Sequence, residues 1–114
     1  MENKEIIEGN KLVAEFDGWV IDNSFPDKDR TYIKNGGIEL DTTFKYHTSW
    51  DWLMPVVEKI ESLGYDFEFN KQGKFTNVRF KGIIDYNCKR YDNIVVIYNT
   101  VVEFIKWYNE NKNK

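Results

Sequence analysis

The sequence predicts an α+β (αβα-sandwich-like) fold in which three helices pack with a small, mainly antiparallel β-sheet. Apolar residues recur at helical spacing in three segments, near the two ends and in the middle of the chain. Two segments between the second and third helices alternate apolar and polar residues, which is typical of half-buried strands. The length of 114 residues suits one domain, so residues 1–114 are expected to form a single unit whose tail, 109–114, frays.

The first part of the chain is predicted to form a helix followed by less regular strands. The helix spans residues 3–16, where the apolar side chains share one face. Gly9 is expected to weaken the middle of this helix by roughly 1 kcal/mol relative to alanine. Gly18 suits the left-handed conformation that ends a helix. Beyond it, "WVID" predicts a short strand, and the Asn-Gly pair at 35–36, between "RTYIK" and "IELD", predicts a β-hairpin or an ordered excursion over residues 30–40.

The second helix has the clearest pattern, with apolar residues at helical spacing from Trp50 onward. Thr48 or Ser49 is the expected N-cap. Pro55 would remove a hydrogen bond from a helix that starts this early, so the helix either begins near Trp52 or is kinked in its first turn. Both arrangements would hold the Trp-Asp-Trp turn out of the regular helix and present a tryptophan to a ligand or partner.

The C-terminal half is predicted to contain a strand pair and the third helix. "YDFEFN" and "KFTNVRFKG" alternate around a short turn at 71–73, and "IIDYN" extends the second strand or adds a third. The segment 94–109 has helical spacing although its start favours strand, and Asp92 is its expected N-cap. The second and third helices are expected to cover one face of the strands. The predicted core consists of Phe16, Leu53, Val57, Ile60, Phe67, Phe69, Val78, Phe80, Val101, Phe104 and Ile105.

The charge and composition exclude several classes of function. A net charge of −3 and a pI of about 5.2 argue against general nucleic-acid binding, which needs a basic surface. No apolar run approaches the length of a membrane span, and the N-terminus lacks a signal-peptide core. The single cysteine, Cys88, suggests a reducing compartment. We therefore expect a cytoplasmic protein that does not bind membranes.

Catalytic and metal sites have little support in the sequence. His47 is the only histidine, and it precedes Ser49 and Asp51, but a hydrolytic triad requires convergence in space rather than neighbours in sequence. One histidine and one cysteine are too few for a zinc site. The chain is therefore not expected to be an enzyme, and neither a metal nor a cofactor is expected.

Aromatic and cationic side chains are interleaved directly before the second helix. Aromatic rings can stack on a nucleotide base, while cations and a helix N-terminus attract phosphate. The same tryptophans could instead cap the core, and the residues alone leave both interpretations open. The predicted ligand-binding residues are Trp50, Trp52, Tyr46, His47, Arg30, Lys45 and Tyr32.

Three stretches of the chain resemble a family of phage proteins. "NKLVAEFDGW", "YHTSWDWLMPVVEKIE" and "VVEFIKWYNE" resemble segments of small phage and prophage proteins frequent in Bacteroidota. Their order is similar to that of the phage ABA-sandwich domain family. The resemblance concerns chiefly the helices and supplies no catalytic residues, and Pro55 and the tryptophan pair depart from the family pattern.

This resemblance implies a phage-encoded accessory protein that acts in the cytoplasm of a bacterial host. The leading hypothesis is a non-enzymatic anti-defence protein that sequesters a small anionic ligand, such as a nucleotide immune signal. Because such proteins often build pockets between subunits, a homo-oligomer is expected. The alternative is direct binding to a host defence protein, with exposed aromatic residues as anchors. A third hypothesis is a small hydrolase that uses His47.

Overall fold

A computed structural model describes residues 3–22, 31–34, 36–40, 43–73, 75–89 and 93–111, which form three helices and two three-stranded antiparallel sheets. The helices are α1 (Asn3–Asp17), α2 (Trp50–Ser62) and α3 (Asn93–Asn111). The first sheet contains β1 (Val20–Asp22), β2 (Thr31–Lys34) and β3 (Gly37–Leu40). The second contains β4 (Phe67–Gln72), β5 (Phe75–Phe80) and β6 (Ile84–Lys89). The predicted α+β class is confirmed, although the strands form two sheets rather than one.

The first sheet is built around the predicted hairpin. β2 and β3 pair antiparallel, with Thr31 opposite Leu40 and Lys34 opposite Gly37. β1 adds to the other edge of β2 with the same antiparallel sense. Gly36 has a φ of 85°, which glycine adopts without the strain that a side chain would bring. Asn35, the other half of the predicted turn signal, lies outside the described residues.

The second sheet confirms the predicted strand pair and makes "IIDYN" part of a third strand. β4 is an edge strand, whereas α3 packs on the central strand β5 and on the opposite edge strand β6. Phe67, opposite Phe80, is half-buried against the core. Phe69 lies further along the strand and is 36% exposed, so its predicted core position is wrong. The reason is that α3 packs on β5 and β6 and leaves the β4 edge less covered.

α3 is the central element of the fold. It packs on α1, on α2 and on the second sheet, whereas the main contacts of α2 are with α1 and α3. The prediction that α2 covers the strands is therefore wrong in this respect. α3 is helical from Asn93 despite the β-branched start of the segment, because packing on both sides outweighs local propensity. Residues 109–111, which were predicted to belong to the frayed tail, continue α3, whereas the expected cap, Asp92, and residues 112–114 lie outside the described residues.

Most of the predicted core is confirmed. Phe16 is only partly buried, at the rim, where its ring meets Phe104 and Tyr108 edge to face with centroids 6.5 and 5.6 Å apart. The predicted residues that are fully or almost fully buried are Leu53, Val57, Ile60, Val78, Phe80, Val101, Phe104 and Ile105.

α2 begins at Trp50, earlier than a helix that avoids Pro55 would begin. Ser49 is its N-cap, with an extended backbone and no side-chain cap hydrogen bond, and its carbonyl accepts from the backbone N–H groups of Trp52 and Leu53. The prediction that Pro55 holds the Trp-Asp-Trp turn out of the helix is therefore wrong. Pro55 lies inside the helix on its exposed side, where water can reach the carbonyl that loses its partner.

Gly9 provides a first test of the helix packing. It is buried where α1 meets α3, and a Cβ added there would overlap the hydroxyl of Tyr98. We expect Gly9→Ala to lower the free energy of unfolding by about 1–2 kcal/mol, because overpacking outweighs the gain in helix propensity. Denaturant unfolding measures this change.

The control for Gly9 is the same substitution in a Tyr98→Phe background. Removal of the hydroxyl removes the overlap, so Gly9→Ala should be less destabilising in this background. The hydrogen bond from Tyr98 to the Ile6 carbonyl is absent both from Tyr98→Phe and from the double variant, so its loss does not affect the comparison. A stability gain from Gly9→Ala in the native background would contradict the close approach of α1 and α3.

Candidate functional site

Five aromatic rings form one group, which we call the aromatic cluster. The rings come from the link between α1 and β1, from β2, from the segment 43–49 and from α2. They are Trp19, Tyr32, Phe44, Tyr46 and Trp52. Phe44 is buried at its centre, with ring centroids 5.2 Å from Tyr32 and 5.5 Å from Trp19. Most of the pairs are edge to face, the geometry that aromatic pairs prefer. The cluster joins the first sheet to the start of α2.

Two of the predicted ligand-binding residues, Tyr32 and Tyr46, are fully buried in this cluster. The Tyr46 hydroxyl donates a 2.7 Å hydrogen bond to Oδ2 of Asp17, which also lies 3.1 Å from Nζ of Lys34. Burial and then the Asp17 carboxylate raise the pKa of Tyr46 far above its ordinary value. Both tyrosines belong to the core, where they offer no surface to a ligand, and the carboxylate ties β2 to the end of α1.

The two tryptophans of α2 have different surroundings. Trp52 is half-buried, with its ring parallel to Trp19 within 5° at a centroid distance of 6.4 Å, and edge to face with Tyr46 at 5.3 Å. Trp50 is 43% exposed. Residues two apart on a helix point to nearly opposite sides, which explains the difference. Trp52 therefore packs on the core, and Trp50 is the tryptophan that can contact a ligand or partner.

His47 is half-buried between α1 and α3. Its Nδ1 lies 3.1 Å from Nδ2 of Asn10, and its ring centroid lies 6.1 Å from that of Tyr98. An amide nitrogen can only donate, so Nδ1 accepts and the ring proton is on Nε2. Burial lowers the pKa of His47 below its ordinary value. The nitrogen that faces the protein interior is thus occupied by a structural hydrogen bond, which gives no support to a catalytic role.

The remaining predicted residues are not gathered into one site. Lys45 is exposed beside the aromatic cluster, and Arg30 lies outside the described residues. Within the described part of the chain, no group of three or more His, Cys, Asp or Glu side chains could hold a metal ion. The side chain of Cys88 is also outside the described set. The structure thus brings Tyr32, Tyr46 and Trp52 together but separates them from the exposed Trp50.

Sequence reasoning missed two residues that organise this region. Asn10 is buried in α1, where Nδ2 also donates to the Phe44 carbonyl at 3.2 Å. Asn10 lies four residues after Ile6 and three before Val13, so it shares the apolar face of α1. This spacing could have predicted from the sequence that Asn10 is buried. Trp19 directly follows the cap glycine, and no local pattern marked it as part of the cluster.

The outward side of the first sheet carries exposed apolar side chains. Val20, Ile33 and Ile38 lie directly across from one another on the three strands, and Leu40 is two residues from Ile38 on the same side. Their exposed fractions are 66%, 37%, 64% and 37% in that order. We call these four residues the outer apolar face. In the sequence, the alternation of "IEL" indicates that Ile38 and Leu40 lie on the same side of a strand.

A separate groove of about 340 Å³ lies where the three helices approach their C-terminal ends. Nζ of Lys59 donates to the Phe16 carbonyl and lies 4.9 Å above the Phe16 ring, so its charge is already engaged. The groove contains none of the predicted site residues. Its lining consists of Glu15, Phe16, Lys59, Leu63, Tyr108 and Asn109.

Comparisons with known proteins do not assign a family. Neither the protein-family models, nor the curated proteins, nor the solved structures contain a match to this chain. The resemblance to phage ABA-sandwich proteins therefore stays a prediction. Among the described residues, no helix combines the length and the apolar character needed to cross a membrane.

Proposed function

We propose that this chain is a non-enzymatic binding protein that contacts a partner protein through the outer apolar face. The observation that supports this function is the cross-strand row of Val20, Ile33 and Ile38, with Leu40 beside it, left exposed on a folded sheet. In the setting that the phage resemblance implies, the partner is a host defence protein in the bacterial cytoplasm, which the chain inhibits by binding.

The exposure of these side chains is unfavourable in the isolated chain. Each square ångström of apolar surface removed from water contributes roughly 25 cal/mol, so a partner that covers the row gains binding free energy. The largest apolar patch on a typical monomer is roughly 300–600 Å² and often functional. The four residues of the outer apolar face are contiguous and lie on one side of one sheet.

The sheet that presents the patch is held in place from behind. On its inner side, Tyr32 is buried against Phe44, and Lys34 pairs with Asp17 at the end of α1. A surface fixed before binding loses less conformational entropy on association. The inner contacts therefore make the outer face a preorganised binding surface.

The size and chemistry of the patch favour a different protein over a second copy of this chain. Val20, Ile33, Ile38 and Leu40 carry no charge, so the complementary surface is apolar. A stable interface buries about 800 Å² on each partner, and permanent homodimers bury more. Four side chains, two of them only 37% exposed, supply a small part of that area. Two copies that paired only through this patch would bury too little area for a stable homodimer, so we propose a different protein as the partner.

The small anionic ligand is the second candidate. It is favoured by the exposure of Trp50 and Lys45 next to the N-terminus of α2, where backbone N–H groups attract anions. The burial of Tyr32 and Tyr46 weighs against it, because a stacking site would lose two of its rings. The ligand would bind beside Trp50 rather than inside the aromatic cluster.

A photo-crosslinking experiment tests the protein-binding function. A benzophenone amino acid at position 20, in a chain expressed in a bacterial host, should form an adduct with a second protein. Ile38→Lys should abolish this adduct, because a charge in the patch must be desolvated on binding. Leu63→Lys is the matched control: it places the same charge at an apolar residue that is 46% exposed and far in sequence from the patch. The free energy of unfolding of both variants should lie within about 0.5 kcal/mol of the native value.

Three outcomes would contradict this function. An adduct that survives Ile38→Lys would show that the patch is not the contact, and an adduct formed only between copies of this chain would assign the face to self-association. A rise in melting temperature with a cyclic dinucleotide or an ADP-ribose derivative, lost in Trp50→Ala, would favour the small ligand instead.

A further inference from the structure

We propose that the contact between Asn10 and His47 is an acid-sensitive latch: protonation of His47 releases residues 43–49 from α1 and loosens the aromatic cluster behind the first sheet. The latch is a property of the fold and stands whether or not the outer apolar face binds a partner. It would make the presentation of that face dependent on pH.

The hydrogen bonds of Asn10 require that Nδ1 of His47 carries no proton. Its side-chain amide has two N–H donors, and both are used: one points to the Phe44 carbonyl at 3.2 Å and the other to Nδ1 of His47 at 3.1 Å. Asn10 itself is buried, so water does not replace either partner readily. His47 must keep a lone pair on Nδ1 for both bonds to exist.

Rotation of the amide does not rescue the protonated ring. It would bring Oδ1 of Asn10 to Nδ1–H of His47, but it would also place that oxygen against the Phe44 carbonyl, where two acceptors repel. In the present orientation Oδ1 is buried and has no hydrogen-bond partner among the described residues. No orientation of Asn10 therefore satisfies both Phe44 and a doubly protonated His47.

The surroundings of His47 also favour the neutral ring. Tyr98 faces it from α3, and burial raises the pKa of the Tyr98 hydroxyl, so this neighbour stays uncharged and donates to the Ile6 carbonyl. Asn10, which faces it from α1, is uncharged. Lys45 on its own segment and Asp51 at the start of α2 are exposed, and burial is the cause that lowers the pKa of His47.

The latch acts on the sheet through Phe44. Asn10 holds the main chain of Phe44, and the ring of Phe44 contacts Tyr32 of β2 together with Trp19 and Trp52. If the amide of Asn10 turns so that Oδ1 accepts from the protonated ring, the Phe44 carbonyl loses its donor, and the residue at the centre of the aromatic cluster is no longer anchored to α1. The inner support of the first sheet is then weakened without any change in the sheet itself.

The direction of the pH dependence follows from the lowered pKa. In the unfolded chain His47 titrates near its ordinary value of about 6.5, and in the folded chain it titrates below that value. The stabilisation is therefore complete above about pH 6.5 and is lost as the pH falls toward the folded pKa. Within that window the folding equilibrium constant should fall by up to about tenfold per pH unit.

Because His47 is the only histidine, its titration can be measured without assignment ambiguity. Imidazole ¹⁵N shifts of the native chain at pH 7.5 should report the Nε2–H tautomer. As the pH falls, the backbone chemical shifts of residues 43–49 and 31–34 should change with the same midpoint as the titration of the His47 imidazole. Denaturant unfolding from pH 8 to pH 5 should show the loss of stability in the native chain.

His47→Asn is the matched control, because its side-chain oxygen can accept from Asn10 at the position of Nδ1 but cannot be protonated. This variant should lose the pH dependence between pH 6.5 and 5. An unchanged pH profile in His47→Asn would overturn the latch, and so would an Nδ1–H tautomer or a ring pKa above 6.5 in the native chain. The ring measurements decide the question even if His47→Asn does not fold.

Discussion

Trp52→Ala is expected to lower the free energy of unfolding by about 3–5 kcal/mol, the range for large aromatic truncations in a core. Trp52 is parallel to Trp19 and edge to face with Tyr46, and it is one of the rings that contact the buried Phe44. Removal of the indole leaves a cavity between the segment 43–49 and α2 that rigid neighbouring rings fill poorly. Urea or guanidinium unfolding, followed by circular dichroism, measures the loss.

Trp50→Ala is the matched control, since it removes the same side chain two residues away in the same helix. With Trp50 43% exposed, we expect a loss below about 1 kcal/mol. If the chain binds a ligand or partner next to α2, Trp50→Ala should weaken that binding while stability is kept. Equal destabilisation by the two substitutions would show that both rings belong to the core and would remove Trp50 from the candidate site.

Pro55→Ala is expected to raise the free energy of unfolding by about 2–3 kcal/mol, because proline in a helix interior is about 3 kcal/mol less favourable than alanine. α2 runs without interruption from Trp50 to Ser62, so residue 55 lies in its second turn. Alanine restores the N–H that bonds to the carbonyl of Asp51, and it removes the clash of the proline ring with that carbonyl. The side chain is exposed, so little packing is lost.

Glu58→Ala is the control for Pro55→Ala, since Glu58 is exposed one turn later in the same helix. This substitution keeps the backbone bonding unchanged and should alter stability by less than about 0.5 kcal/mol. A gain from Pro55→Ala no larger than that of the control would mean that the regular helix begins after Trp50, which is one of the two arrangements that the sequence left open. A large gain would also show that Pro55 lowers the stability of the native chain.

The elements whose pattern is local could be predicted from the amino-acid sequence. Residues 97–108 were predicted to be helical because Ile97, Val101, Phe104, Ile105 and Tyr108 follow helical spacing, and β4 and β5 were predicted to pair because their side chains alternate. The hairpin of β2 and β3 follows from turn chemistry carried by two adjacent residues. In each case the information lies within a few positions along the chain, which is why the α+β class could be predicted.

Which of these side chains contact one another depends on how the elements pack in three dimensions. From the sequence, Gly9 is expected to weaken α1, yet its missing side chain allows the close approach of Tyr98, nearly ninety positions later in the chain. Trp50 and Trp52 were equivalent candidates until the packing of α2 buried one and exposed the other. The pairing of Asn10 with His47 and the outer apolar face arise in the same way. Local periodicity assigns a face to each element, but the face says nothing about the partner across it, because contacts between distant residues depend on how the elements pack.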